Sequence, residues 1–338
     1  MPELTPALLI ATGVVVAFAA YLVMAGADFG GGVWDLFASG PRRKRQRALI
    51  ADAIGPIWEA NHVWLILAVV LLFVCFPSGF ARLSVTLHIP LTLMLVGIVL
   101  RGSAFTFRTY DSQRDDVQRR WGMVFSWASL VTPVLLGVAA GTVAAGGIPA
   151  RPSGTFAEAY VRPWLQPFPF AIGALALVLC AYLAAVYLTL ETDDPDLQDD
   201  FRLRAFAAGI GVFLAAMLAL FLARRYVPLV WQGLTASPWA PGYQVVVGGL
   251  ALLTFTALWQ RRYRLARVAA PFQAVLILSG WALCQYPYLL PPDLTIAAAA
   301  APDTTLKLVL GALALGFVVL VPSLIYLFRV FKSRPQRA

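Results

Sequence analysis

The sequence predicts an all-α integral membrane protein of about nine transmembrane helices. The chain has 338 residues, of which 60% are hydrophobic and 13% charged, with a mean hydropathy of +0.77, far from the composition of a soluble domain. Nine apolar runs reach the roughly 18 to 20 residues with which a helix spans a bilayer. The basic residues also segregate between alternate connections, the pattern of loops that lie on opposite sides of a membrane.

The runs lie near 6–36, 50–77, 82–106, 121–145, 165–190, 205–223, 243–260, 268–290 and 306–328. The first continues into Gly, Trp and Asp and lacks a small-residue cleavage site, so it reads as a mature helix. The longest connection, about 224–242, is short and rich in Pro and Trp. No soluble domain fits between the runs, and residues 1–338 read as a single polytopic membrane domain. Trp164, Trp231, Trp239, Trp259, Tyr286 and Tyr288 fall near the ends of runs, as interfacial aromatics do.

A net charge of +9 raises the question of nucleic acid, and the placement of the charge answers it. Arg42 to Arg47, Arg108 to Arg120, Arg202 with Arg204, Arg261 to Arg267 and the tail from Arg329 hold most of the basic residues, all in odd-numbered connections or the tail. The other side carries Arg82, Arg151, Arg162, Arg224, Arg225 and Lys307. The positive-inside rule then puts the amino terminus outside and the carboxyl terminus in the cytoplasm, and nucleic acid is no partner. The acidic run Glu191 to Asp200 falls on the cytoplasmic side and reads as a solvated loop. Cys75, Cys180 and Cys284 lie on different runs and read as packing residues, with neither a disulfide framework nor a metal site.

Ionisable residues inside a bilayer are costly, and here they concentrate in the first three runs, residues 6–108. Asp28 lies 13 residues before the basic loop that starts at Pro41, and Glu59 lies 12 residues after Arg47. At about 1.5 Å per residue, both stand roughly 18 to 20 Å from that loop. Asp35 and Asp52 form a shallower pair, a candidate way in for protons. Each is seven residues from its deeper partner, almost two helical turns, so each pair shares a helix face. Arg101 and Arg108 repeat the interval on the third run. Such a ladder suits a proton route, with Glu59 innermost, and equally suits a structural ion pair of Arg101 with Asp28 or Glu59. Gly30, Gly31, Gly32 and Pro56 are positions at which either helix could bend. His62 and His88 are the two histidines; relative to the turn near Pro77 to Arg82 they differ by roughly 13 Å in depth, which argues against both ligating one haem.

The second run reads GPIWEANHVWLI at 55–66, preceded by GADFGGG at 26–32 and followed by HIPLTLMLVGIVLRGSAFTFR at 88–108. These motifs, with CQYPYLLPPDLTIAAAAAPDTTLKLVL at 284–310, resemble the subunit II family of cytochrome bd quinol oxidases over most of the chain. The resemblance implies two four-helix bundles plus a peripheral helix in a bacterial cytoplasmic membrane. It implies pairing with a haem-bearing subunit I in a terminal oxidase that oxidises quinol and reduces dioxygen to water. The b and d haems are expected in subunit I, with none bound by this chain; a bound quinone and a small single-span accessory subunit accompany some members. Asp28 and Glu59 match acidic positions associated with proton supply, and Trp58, Asn61, His62, Trp64 and Arg101 match the surrounding motif. Two positions depart from the family: Glu59 and Ala60 stand where many members have Asp-Gly, and Ala25 replaces another Asp. Two other readings fit the composition, a secondary transporter with buried carboxylates and a passive structural subunit of a haem complex. The transporter reading leaves unexplained why helices four to nine are nearly free of charge.

Overall fold

The computed structural model describes residues 5–54, 61–110 and 115–332. The chain opens with α1 (Pro6–Leu36), α2 (Arg43–Ile54), α3 (Val63–Cys75), α4 (Pro77–Thr86), α5 (His88–Tyr110) and α6 (Asp115–Ala144). It continues with α7 (Phe156–Tyr160), α8 (Pro167–Leu188), α9 (Pro195–Tyr226), α10 (Pro228–Thr235), α11 (Ala240–Trp259) and α12 (Tyr263–Gln285). An antiparallel hairpin, β1 (Tyr288–Leu290) and β2 (Leu294–Thr295), leads through α13 (Ile296–Ala299) to α14 (Asp303–Lys332). Starts are written locally. Thr5 accepts from the Leu8 N–H at 3.3 Å with Pro6 in the first turn of α1, and Asp194 caps α9 ahead of Pro195.

Among the described residues eight helices are long and apolar enough to cross a membrane, and α3 with α4 makes a ninth candidate bent by 117°. The bend falls at the expected end of the 50–77 run and corrects the expected start of the next at 82: residues 77–86 form a separate helix, and the following span begins at His88. Pro77 has no N–H and its ring would collide with the carbonyl four residues earlier, so α3 stops at Cys75. Phe76 breaks the helix at φ −134°, ψ 58°, and Pro77 starts α4 in a new direction. The connection expected at 224–242 is likewise not all loop, because α10 occupies its first half.

Helix α1 runs through the middle of the molecule, packed against α3, α6, α8 and α12. Helix α1 continues unbroken through Gly30, Gly31 and Gly32. Successive helical residues point about 100° apart, so the three glycines face three neighbours. A Cβ on Gly30 would strike the Cys180 backbone of α8, one on Gly31 would meet Ile54 of α2, and one on Gly32 would strike Ser129 of α6. Without those Cβ atoms the backbones close in, as small residues allow inside membranes. Helices α8, α9, α11 and α12 pack around Ala181, Ala185, Ala205, Ala257, Ala266 and Ala270. Helix α14 lies at the edge, with none of its most apolar 18-residue stretch buried, and leans on α1 and α3.

The acidic run is not a solvated loop. Arg42 donates to Asp200 through Nε at 2.9 Å and Nη2 at 2.6 Å, and Gln46 adds a bond at 2.8 Å. Arg45 pairs with Asp194, Arg261 with Asp199 at 2.9 Å and Arg267 with Glu191 at 3.3 Å. Three odd-numbered connections therefore meet at one end of the helices. At the other end Arg82 reaches Asp293 at 2.8 Å, and His88 packs on Tyr160. Hydrogen bonding to Asp200 raises the proton affinity of the exposed Arg42 further above its usual value.

Candidate functional site

The chemistry-bearing residues converge where α1, α5 and α6 meet the start of α3. Arg101, on α5, is the largest fully buried side chain, at 2% exposure. Its guanidinium carbon stands 4.9 Å from the Phe29 ring centroid and 5.2 Å from that of Phe125, so two aromatic faces replace part of its hydration. Its Nε donates to Ser129 Oγ on α6 at 3.2 Å. Ser129 gives its own proton to the Phe125 carbonyl at 2.7 Å, which turns its oxygen lone pairs toward the cation. Arg101 Nη2 is a buried donor with no hydrogen-bond partner among the described residues.

Asp28 is buried on α1 within Coulombic reach of Arg101. Asn61 Nδ2 donates to its Oδ2, and the same amide approaches the Met24 carbonyl at 3.5 Å. Two turns along, Asp35 is 1% exposed. It accepts from Ser126 Oγ at 3.1 Å and pairs with Arg47 at 3.7 Å, while Arg47 also donates to the Asp35 carbonyl at 3.1 and 3.2 Å. Ser126 and Ser129 are three residues apart and share a face of α6. The result is a buried polar seam from Asp35 through the two hydroxyls to Arg101, Asp28 and Asn61. A carboxylate held beside a cation inside a low-dielectric bundle can exchange protons with hydroxyls and water, and the pair can equally lock helices together.

The structure brings Asp28, Asp35, Asn61 and Arg101 into one seam. Asp52 is exposed on α2. Trp58, Glu59 and the side chain of Arg108 lie outside the described residues. Trp64 is buried and faces Phe317 of α14 with centroids 6.3 Å apart. His62 Nδ1 lies 3.3 Å from Tyr21 OH and its ring packs on Phe29, whereas His88 opens α5 with Nδ1 2.9 Å from the Val85 carbonyl. The two rings have different neighbours, Tyr21 and Phe29 for His62 and Val85 and Tyr160 for His88. No group of three or more His, Cys, Asp or Glu among the described residues could hold a metal ion. Sequence reasoning passed over Ser126, Ser129, Tyr21 and Arg47. The signal for the first two was present as SWASLVT, residues 126–132, with hydroxyls every third position of an apolar run.

A match to the family described as cytochrome bd terminal oxidase subunit II runs over residues 6–331. A cytochrome bd ubiquinol oxidase subunit 2 of Bacillus subtilis (strain 168) is 31% identical over 207 residues, covering 61% of this chain and 59% of the relative, so the likeness spans under two thirds of that protein. Another protein of that strain, provisionally assigned as a cytochrome bd menaquinol oxidase subunit II, is 22% identical over 339 residues, 97% of this chain and 96% of the relative. The bd oxidase structure from Geobacillus thermodenitrificans superposes with a TM-score of 0.81 over 98% of this chain and 99% of that one, at 22% sequence identity, a likeness of fold. With all but its ends matched to the family, this chain belongs to the cytochrome bd terminal oxidase subunit II family.

Proposed function

We propose that this chain is the second subunit of a bacterial membrane oxidase that takes electrons from quinol and reduces dioxygen to water, and that it supports the haem-bearing subunit I. In this reading the amino terminus faces outward, the connections rich in Arg face the cytoplasm, and protons drawn from that side pass through this chain toward the oxygen-reducing haems. The haems supply the redox chemistry in subunit I; the residues here hold and move protons. The observation that supports the reading is the buried seam from Asp35 to Asp28, which starts beside Arg47 in the first turns of the basic helix α2 and ends deep among apolar helices. Arg101 stands near Asp28 as its countercharge, Asn61 fixes the orientation of the carboxyl group, and Glu59 takes the proton onward.

Asp28→Asn and Glu59→Gln keep the shape and remove the titratable group. In the assembled complex each should cut quinol oxidase turnover per haem by at least about tenfold, while the reduced-minus-oxidised spectrum still reports haem d. Full turnover per haem in both variants would falsify the proton route. Loss of assembly before any loss of turnover would assign the seam to structure alone.

A further inference from the structure

We infer that Ser126 is a proton-relay residue, and that protons reach the seam through Asp35 and the hydroxyl face of α6. This rests on reading the chain as lining a proton route; it adds the path by which protons arrive. The Ser126 hydroxyl has one proton and two acceptors at nearly equal distance, Asp35 Oδ2 at 3.1 Å and the Gly122 carbonyl at 3.0 Å. Its hydrogen bond therefore depends on the state of Asp35. Beside the carboxylate the hydroxyl donates to it; beside the protonated acid it accepts, and its own proton turns away.

Transfer follows from that choice. Protonated Asp35 gives its proton to Ser126 Oγ as the proton already on that oxygen passes to a water on the inner side. Asp35 is left as carboxylate and Ser126 as a neutral hydroxyl. The carboxylate takes its next proton from water at the Arg47 end, and one proton has moved inward. Ser129 is the next polar atom along this face, about 5 to 6 Å away as an i,i+3 neighbour, a gap that one water bridges. Two buried polar atoms further in lack hydrogen-bond partners among the described residues, the donor Arg101 Nη2 and the acceptor Asn61 Oδ1. Buried groups of this kind are where ordered water is found. The exposed Asp52 makes no hydrogen bond to the seam among the described residues.

The test uses the assembled oxidase in proteoliposomes. Ser126→Ala removes the hydroxyl; Ser126→Thr keeps it. The alanine variant should lower turnover per haem by at least about fivefold with an unchanged KM for quinol and a larger solvent deuterium effect, and the threonine variant should restore most of the rate. Tyr182→Phe, in the other half of the protein, serves as the control. If Ser126→Ala does not assemble, Ser126→Gly gives the same comparison. Wild-type turnover in the hydroxyl-free variant, or equal losses in the alanine and threonine variants, overturns the inference. Asp28→Asn and Glu59→Gln separate the two levels: a slow rate in either with normal Ser126→Ala sinks only this path, whereas normal rates in all three sink the proton route itself.

Discussion

Around α1, α5 and α6 the protein buries Asp28, Asp35, Asn61, Arg101, Ser126 and Ser129, while α8, α9, α11 and α12 bury mostly alanine and other aliphatic residues. In that second region Tyr182 donates to Gln273 at 3.3 Å, a bond between neutral groups. Both regions use close helix approach, so packing alone does not explain the charges. A buried ion pair often fails to recover its full desolvation cost, and replacing such a pair by apolar side chains of similar volume is often neutral or stabilising. The contrast teaches where charge is concentrated: the first region buries it and the second holds together with mostly aliphatic side chains, so the proposed proton route has its groups in the first region alone among the described residues.

The largest expected effect comes from Arg101→Met. It leaves Asp28 buried without its cation, which should cost about 3 to 5 kcal/mol and sharply reduce the yield of assembled, haem-containing complex. Size-exclusion profiles and haem per protein would show it; an assembled complex of wild-type thermal stability would remove the contrast between the regions. Glycines probe the same contrast through packing. Gly30→Ala drives a methyl into the Cys180 backbone and should destabilise by about 1 to 3 kcal/mol, whereas Gly249→Ala on α11 meets nothing within 4 Å and should be neutral or stabilise by up to about 1 kcal/mol. Thermal inactivation of the two variants decides the ordering, and a reversed order contradicts the central place given to α1. The smallest effect belongs to Tyr182→Phe. Losing one neutral hydrogen bond should cost about 1 kcal/mol and leave turnover per haem unchanged, and a large fall in turnover there would extend the functional region into the second half.

Much of this protein was legible in its sequence, because bilayer thickness turns composition into architecture. Apolar runs became helices, proline and capping residues marked their starts, and the family motifs named the relatives. Asp28 and Arg101 also stood out, since a charge in an apolar run is costly wherever its partner lies. What the chain could not express locally is which way each helix turns. The Asp35 to Ser126 bond joins residues 91 apart, and the Arg42 to Asp200 pair joins residues 158 apart. Such contacts depend on rotation about two helix axes, which no local pattern sets. The acidic run therefore read as solvated until Arg42, Arg45, Arg261 and Arg267 were found against it, and Ser126 read as ordinary membrane-helix filler. The glycine run marked a place where the helix could bend, and only the packing shows that it permits close approach on three sides of α1. Sequence alone determined the class, most of the spans and the costly charges; only the tertiary structure decided the bend at Pro77 and the partners of each charge, because partnership is fixed by how helices pack and not by what each one contains.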